Sequence, residues 1–385
     1  MFTTKTTSAS ERPPTIAAKG VSLGHDAWRR LRRDRMAMVS LVTLITIGLL
    51  AIFTPLLPLA PPDKHRTELQ YESPQLVPLF DRRFELHWHA QEAPSTMLSA
   101  QAQGRDRHNV LLRPYREAGF PDLGPVGRWM VRTRYRLFGE WSIGSFAGRD
   151  EFGRDVLSRV FWGARISIVV GIVATLVSLA IGVTYGALAG YVGGWVDDTM
   201  MRLVDILYSI PFIFIVIFII TILGEDSIKA RLESWGIGRI TIFYFVVGAI
   251  YWLTMSRVVR GQVISLRNEP FVEAARAIGA RQSRIIVQHI LPNLLSVVIV
   301  YLTLTIPRVM LFEAFLSFLG LGVEPPDVSW GLLANEGIKV ITPVKIYWWL
   351  IVFPSAALGI TLYALNFLGD GLRDALDPKL AVRRS

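Results

Sequence analysis

Residues 269–293 read EPFVEAARAIGARQSRIIVQHILPN. The stretch is polar and basic, yet it lies between two long apolar segments, one ending near Met255 and the other starting at Leu291. Asn268 is placed to cap a helix whose first turn tolerates Pro270. Phe271, Ala274, Ala275 and Ile278 then recur at i, i+3, i+4 and i+7, which makes one apolar face. Gly279 breaks that helix, as a Gly after the last periodic residue commonly does. Ile285, Ile286, His289 and Ile290 form a second stripe, and Leu291-Pro292 closes the loop where the chain re-enters the membrane. The residues alone leave two readings. One is a pair of interfacial helices resting on lipid; the other is a knob, with a small-residue shoulder at Ala274 and Ala275, that enters a groove in another chain.

The chain outside this loop is that of an all-α integral membrane protein. Its 385 residues are 51% hydrophobic, and the mean hydropathy is +0.39. A transmembrane helix needs about 20 mostly apolar residues. Six segments qualify: 37–59, 166–191, 203–223, 240–255 (with a flank through Val259), 291–312 and 347–368. Each must be helical, because backbone amides in lipid are satisfied only internally.

Basic residues in short flanks set the orientation. Trp28-Arg-Arg-Leu-Arg-Arg-Asp-Arg35 precedes the first span, Arg257, Arg260, Arg267, Arg276, Arg281 and Arg284 lie in the loop after the fourth, and Arg383 and Arg384 end the tail. With six spans these segments share one side, the cytoplasmic one, so both termini are expected inside. The same distribution accounts for the net charge of +10 without nucleic acid. With no cysteine, disulfides and thiolate metal sites are excluded. The first apolar run is longer than a cleaved signal's and lacks a clear small-x-small site, so it reads as a retained anchor.

The organisation expected is a basic N-terminal tail (1–36), a first span (37–60), an outer insert (61–147), a transmembrane core (148–370) with its loop at 257–293, and a C-terminal tail (371–385). The insert is rich in proline and aromatics, and residues 84–90 alternate as a strand would. His87 and His89 there have the spacing of two ligands on one strand face, or of a polar surface strand. Residues 148–167 alternate charge with Val156, Leu157, Val160 and Phe161, which suits an amphipathic helix at the outer interface or a solvated helix flank.

Within the spans, Arg308 and Glu313 flank the stretch after Pro307. Ionisable residues there face a cavity or pair with one another; the two are read as pathway or gate residues, with a mutual salt bridge as the plain alternative. Asp205 has Arg202 as its nearest candidate partner. Residues 315–322, FLSFLGLG, are too short to span and suit a re-entrant turn or a bent helix end. Trp348 and Trp349 read as interface anchors. No Gly is followed by Lys anywhere, so the chain has no phosphate-binding loop of the G-x-x-x-x-G-K-[ST] type, and HExxH and GxSxG are also absent.

Glu273-Ala274-Ala275, three residues, Gly279, nine residues, then His289-Ile-Leu291-Pro292 resembles the EAA loop of ABC importer permeases. His289 departs from the general pattern in the way the peptide-permease branch does. GRDVLSRV (153–160), ILYSIPFIFIVI (206–217), SRVVRGQVISLR (256–267) and LFEAFLSFLGLGVEPPDVSWG (311–331) resemble the C subunit of oligopeptide and dipeptide permeases. The resemblance implies the type I ABC importer permease fold, working by alternating access. It implies a heterodimer with a second permease subunit, two ATPase subunits that hold ATP and magnesium, and an extracytoplasmic substrate-binding protein, all at the inner membrane. In such a complex Glu273, Ala274, Ala275, Arg276, Gly279, His289, Leu291 and Pro292 form the ATPase-coupling loop. No cofactor, metal or catalytic residue is expected on this chain, and hydrolysis belongs to the partners. Related permeases carry nickel chelates, opines, glutathione or peptide antibiotics, so cargo stays open at this point. A scaffold or channel without an ATPase is the reading from another class.

Overall fold

The computed structural model describes residues 23–62, 65–75, 124–139, 142–223, 225–235, 239–323, 325 and 327–376. His87, His89 and the alternating stretch 84–90 lie outside the described residues. The described elements are helical: α1 (Leu23–Leu31), α2 (Arg35–Phe53), α3 (Pro125–Phe138), α4 (Val156–Val192), α5 (Gly194–Ser209), α6 (Phe212–Leu223), α7 (Asp226–Ser234), α8 (Arg239–Leu266), α9 (Pro270–Ala277), α10 (Gln282–Ile285), α11 (Leu291–Phe318), α12 (Trp330–Lys339) and α13 (Trp349–Leu376). No strand forms among the described residues, only isolated bridges such as Leu59 with Ile143.

Among the described residues five helices are long and apolar enough to cross a membrane, and the bent pair α5 and α6, taken as one span, makes a sixth. The third span was expected to be continuous; it is instead bent by 85° between Ser209 and Phe212. Pro211 has no N–H to give the helix and forces Ile210 into extended backbone, φ −82° and ψ 128°. The second span is longer than expected, because no separate interfacial helix precedes it. Asp155 accepts the Ser158 N–H at 2.7 Å and caps a helix that runs unbroken from Val156.

One seam organises the bundle. Gly182, Gly186 and Gly190 recur every four residues on α4 and face α8. A Cβ on any of them would collide with Met255, the Ser256 carbonyl or the Arg260 carbonyl respectively. Gly248 of α8 sits equally close to Val177. Small residues at this period let helix backbones approach where lipid supplies no hydrophobic drive.

The ends of the bundle follow from the packing. Thr54 after α2 donates to the Phe161 carbonyl near the start of α4, and Gly337 of α12 lies against Leu350 at the start of α13. At the opposite end Leu31, Ala37 and Ala375 pack together, so α1 and the last turns of α13 meet. That second end also carries the 267–282 loop, since α4, α8 and α11 all reach it.

Residues 315–322 resolve as a bent helix end. Gly320 has φ +78°, the Leu321 N–H bonds the Leu316 carbonyl at 2.9 Å, and the Gly320 N–H bonds the Ser317 carbonyl. The chain then folds back into α12, whose Gly331 touches the Ala314 backbone. Trp349, expected at the interface, is buried, and its indole N–H donates to the Arg149 carbonyl at 3.2 Å. Trp348 is half exposed, as an anchor would be.

Candidate functional site

The 269–293 loop is two short helices set at an angle by one left-handed residue. The first, α9, starts at Glu269 rather than Asn268, and the Glu269 side chain makes no cap bond. It ends at Gly279, φ +81°, where the Ala280 N–H reaches the Ala275 carbonyl and the Gly279 N–H the Arg276 carbonyl. That is the doubled bond pattern of a Schellman cap, which needs a residue tolerant of the left-handed region.

The apolar face of α9 divides. Val272 and Ala275 are buried on Tyr191 of α4 and Val259 and Val263 of α8. Phe271, Ala274 and Ile278 point away, and Ile278 is 86% exposed. Glu273 and Arg276 flank that exposed edge, with the Arg276 guanidinium 5.3 Å over the Tyr191 ring. The single apolar face expected for Phe271, Ala274, Ala275 and Ile278 is therefore two faces. Ala275 belongs to the base and the other three to the surface.

The second stripe holds: Ile285 and Ile290 are buried, and Ile286 and His289 half-buried. Five residues separate Ile285 from Ile290, which an α-helix would place on different sides. The turn at 286–290 is widened to a π turn, with the Leu291 N–H bonding the Ile286 carbonyl, so both isoleucines face inward. Pro292 explains the widening. It gives no N–H to Gln288, and its ring needs room at that carbonyl. Asn293 then donates its side-chain amide to the His289 carbonyl at 2.6 Å. Leu291 and Pro292 thus join the loop to α11 without a hinge.

Beneath the loop the charges are paired. Arg260 forks onto Asp197 of α5 through two bonds, and Arg267 donates to the Gly190 carbonyl at 3.0 Å. Asp205 pairs with Arg257 at 2.6 Å, not with Arg202 as expected. The bent third span brings α5 across α8, a placement that sequence neighbours cannot reveal.

Arg308 and Glu313 do not pair. Glu313 is fully buried; one oxygen accepts from Ser317 at 2.8 Å and the other has no hydrogen-bond partner. Ser317 in turn accepts the Val323 N–H, and its carbonyl accepts from Asn335 of α12. Arg308 is exposed on another face of α11 and makes no salt bridge among the described residues.

A second polar centre, at the other end, was not anticipated. Asp150 accepts from Arg154 at 2.7 Å and from Arg159 at 2.8 Å, and Arg159 also forks onto Glu336 of α12. Arg149 bonds Glu72 at 3.0 Å and the Gly153 carbonyl at 3.1 Å. Burial pushes the Asp155 carboxyl up, against the backbone N–H groups of Ser158 and Ser145 and the Arg149 charge, which hold it down. The tripeptide Gly-Arg-Asp occurs twice here, at 148–150 and 153–155. Both glycines have positive φ, and Gly153 lies against the Arg66 carbonyl with no space for a Cβ. No group of metal-ligating side chains occurs among the described residues.

A bundle of broken and unbroken spans, carrying a capped loop at one end, defines a multi-pass membrane protein. The sequence profile described as "binding-protein-dependent transport system inner membrane component" matches residues 182–382, and the chain belongs to that family. A second profile, the N-terminal TM domain of oligopeptide transport permease C, matches residues 22–74. The chain is 48% identical over 236 residues to the oligopeptide transport system permease protein OppC of Escherichia coli K12, covering 61% of this chain and 73% of that one. It is 40% identical over 233 residues to the dipeptide transport system permease protein DppC of Bacillus subtilis (60% and 68%). It is 41% identical over 241 residues to the glutathione transport system permease protein GsiD of Shigella flexneri (62% and 74%). The type I importer permease fold and the resemblance read from the motifs are borne out.

Proposed function

We propose that this chain is one of two permease subunits of an ATP-driven importer of oligopeptides or dipeptides. The names of the relatives support the cargo class, and the exposed edge of α9 supports the coupling role. Phe271, Ala274 and Ile278 form an apolar ridge between charged residues, on a base buried against α4 and α8. Such a ridge suits a groove in an ATPase subunit, which binds ATP and magnesium and moves the loop as it closes. Glu273, Arg276, Gly279, His289, Leu291 and Pro292 shape and hold the ridge. The α1 end, the loop and the C-terminal tail then face the cytoplasm. Residues 61–147 lie outside and dock the binding protein or the second permease. Arg308 faces the pathway. Glutathione is the second cargo reading, favoured by the 41% identical relative.

The test is Ile278→Asp, or Glu273→Lys with Ala274→Asp, in the assembled complex. Uptake should fall tenfold or more, with less ATPase co-purifying and the permease still inserted. Normal uptake at normal expression would sink the coupling assignment.

A further inference from the structure

We propose that Arg308 binds the terminal carboxylate of the peptide cargo, beside an aromatic cavity at the break of the third span. The proposal rests on the peptide-importer reading above. Pro307, Val309 and Met310 are buried around Arg308, whose own side chain is turned out. Several other arginines described within or near the spans are occupied. Arg159 is ion-paired, as are Arg257 and Arg260, Arg267 holds a backbone carbonyl, and Arg165 stacks on Trp162 at 5.0 Å. Among the described residues Arg308 has neither a carboxylate nor a ring as partner.

Its surroundings are phenolic. Tyr251 of α8 donates its hydroxyl to the Arg308 carbonyl at 3.2 Å. Tyr301 precedes Arg308 by seven residues, two turns back on the same face of α11. Tyr251 also walls a cavity of about 400 Å³ with Tyr208, Pro211 and Phe212, the residues of the bend. That volume falls within the roughly 300–1,000 Å³ of small-ligand pockets. Broken spans place unpaired backbone at the cavity where transporters hold substrate.

The chemistry fits a peptide end. A guanidinium offers two parallel N–H donors to a carboxylate. Rings and aliphatic side chains accept varied cargo side chains without selecting among them. A free carboxylate is the one anionic group every unmodified linear peptide presents, whatever its residues; the other common end, an ammonium, does not suit a guanidinium.

The experiment uses the full complex in proteoliposomes with saturating binding protein. ATP-dependent uptake of a tripeptide and of its C-terminal amide is measured, each normalised to peptide loaded on the binding protein. The wild type should move the acid several-fold faster than the amide. Arg308→Gln should cut acid uptake about tenfold and amide uptake less than twofold, and Arg308→Lys should recover part of the preference. Equal loss of both forms would show that Arg308 serves assembly, and no loss of either that it serves nothing here; each result overturns the carboxylate assignment. Absence of ATP-driven uptake of both forms by the wild type would instead remove the peptide-importer reading.

Discussion

The two ends of the bundle treat charge in opposite ways. Where α4 begins, Asp150, Arg154 and Arg159 are buried and bonded to one another and to Glu336. Where α9 sits, Glu273, Arg276, Arg281 and Arg284 are all exposed, beside the apolar ridge of Phe271, Ala274 and Ile278. A buried, mutually ion-paired cluster holds its elements in one arrangement and offers little to a partner. An exposed mixed surface on a rigid base offers much to a partner and little to its own chain. The difference separates a clamp from a docking surface, and it predicts different outcomes for mutation at each end.

The largest effect is expected at the clamp. Arg159→Met leaves Asp150 and Glu336 to share Arg154 alone, at 2.7 and 3.5 Å, in a largely buried site. Removing one partner of a buried ion pair costs about 3–5 kcal/mol. The complex should be recovered in much lower yield and melt at lower temperature, with the ATPase still attached to whatever folds. Adding Glu336→Gln should restore part of the loss, because Asp150 then balances Arg154 and no charge is left over. A single variant as stable as the wild type would mean that the cluster is open to water.

These two centres were not equally legible. Residues 269–293 announce themselves locally: helical spacing, Gly279 at the break, Leu291-Pro292 at the close. Each of those signals acts within one or two turns, so no distant contact is needed to read it. The clamp depends on Glu336 meeting Arg159, 177 residues earlier, which no local pattern encodes. Its charges alternate with apolar residues and so look like a solvated helix flank. The doubled Gly-Arg-Asp was the available signal, since paired glycines mark backbone that a side chain would block. Two further features had signals that a reading by hydropathy passes over. Pro211 sits within the third apolar run and breaks it. Gly182, Gly186 and Gly190 keep a four-residue period that marks the face toward α8. The separation of Arg308 from Glu313 follows partly from helix geometry, since five residues do not share a face. The burial of Glu313 comes from α12 folding back, which residues 315–331 do not disclose on their own.

A middle-sized effect is expected at Gly279. A Cβ there meets nothing within 4 Å, so substitution costs only the left-handed backbone. For an L-residue other than Gly that is roughly 1–2 kcal/mol. Gly279→Ala should therefore leave the bundle's melting unchanged and lower uptake several-fold, as α9 and α10 lose their angle. Gly279→Asn should do less harm, because Asn enters the left-handed region more readily. Uptake equal to wild type in both variants would show that the angle between the helices does not matter to coupling.

The smallest effect is expected at Arg257, which tests whether a pair at the loop end can behave like the clamp. Arg257 and Asp205 meet at 2.6 Å, but their side chains are 40% and 66% exposed. Exposed pairs typically contribute about 0.2–1 kcal/mol, since water solvates either partner when the other leaves. The 4.4 Å stack of Arg257 on Tyr208 adds contact that Gln replaces in part. Arg257→Gln should thus change melting and complex yield little. Arg260→Gln should cost more, because Asp197 is buried in the first turn of α5 and loses a two-bond partner. The order expected in thermal melts is Arg159→Met, then Arg260→Gln, then Arg257→Gln. If Arg257→Gln proved as damaging as Arg159→Met, exposure would not be what distinguishes the two ends, and the loop end would have to be a second clamp.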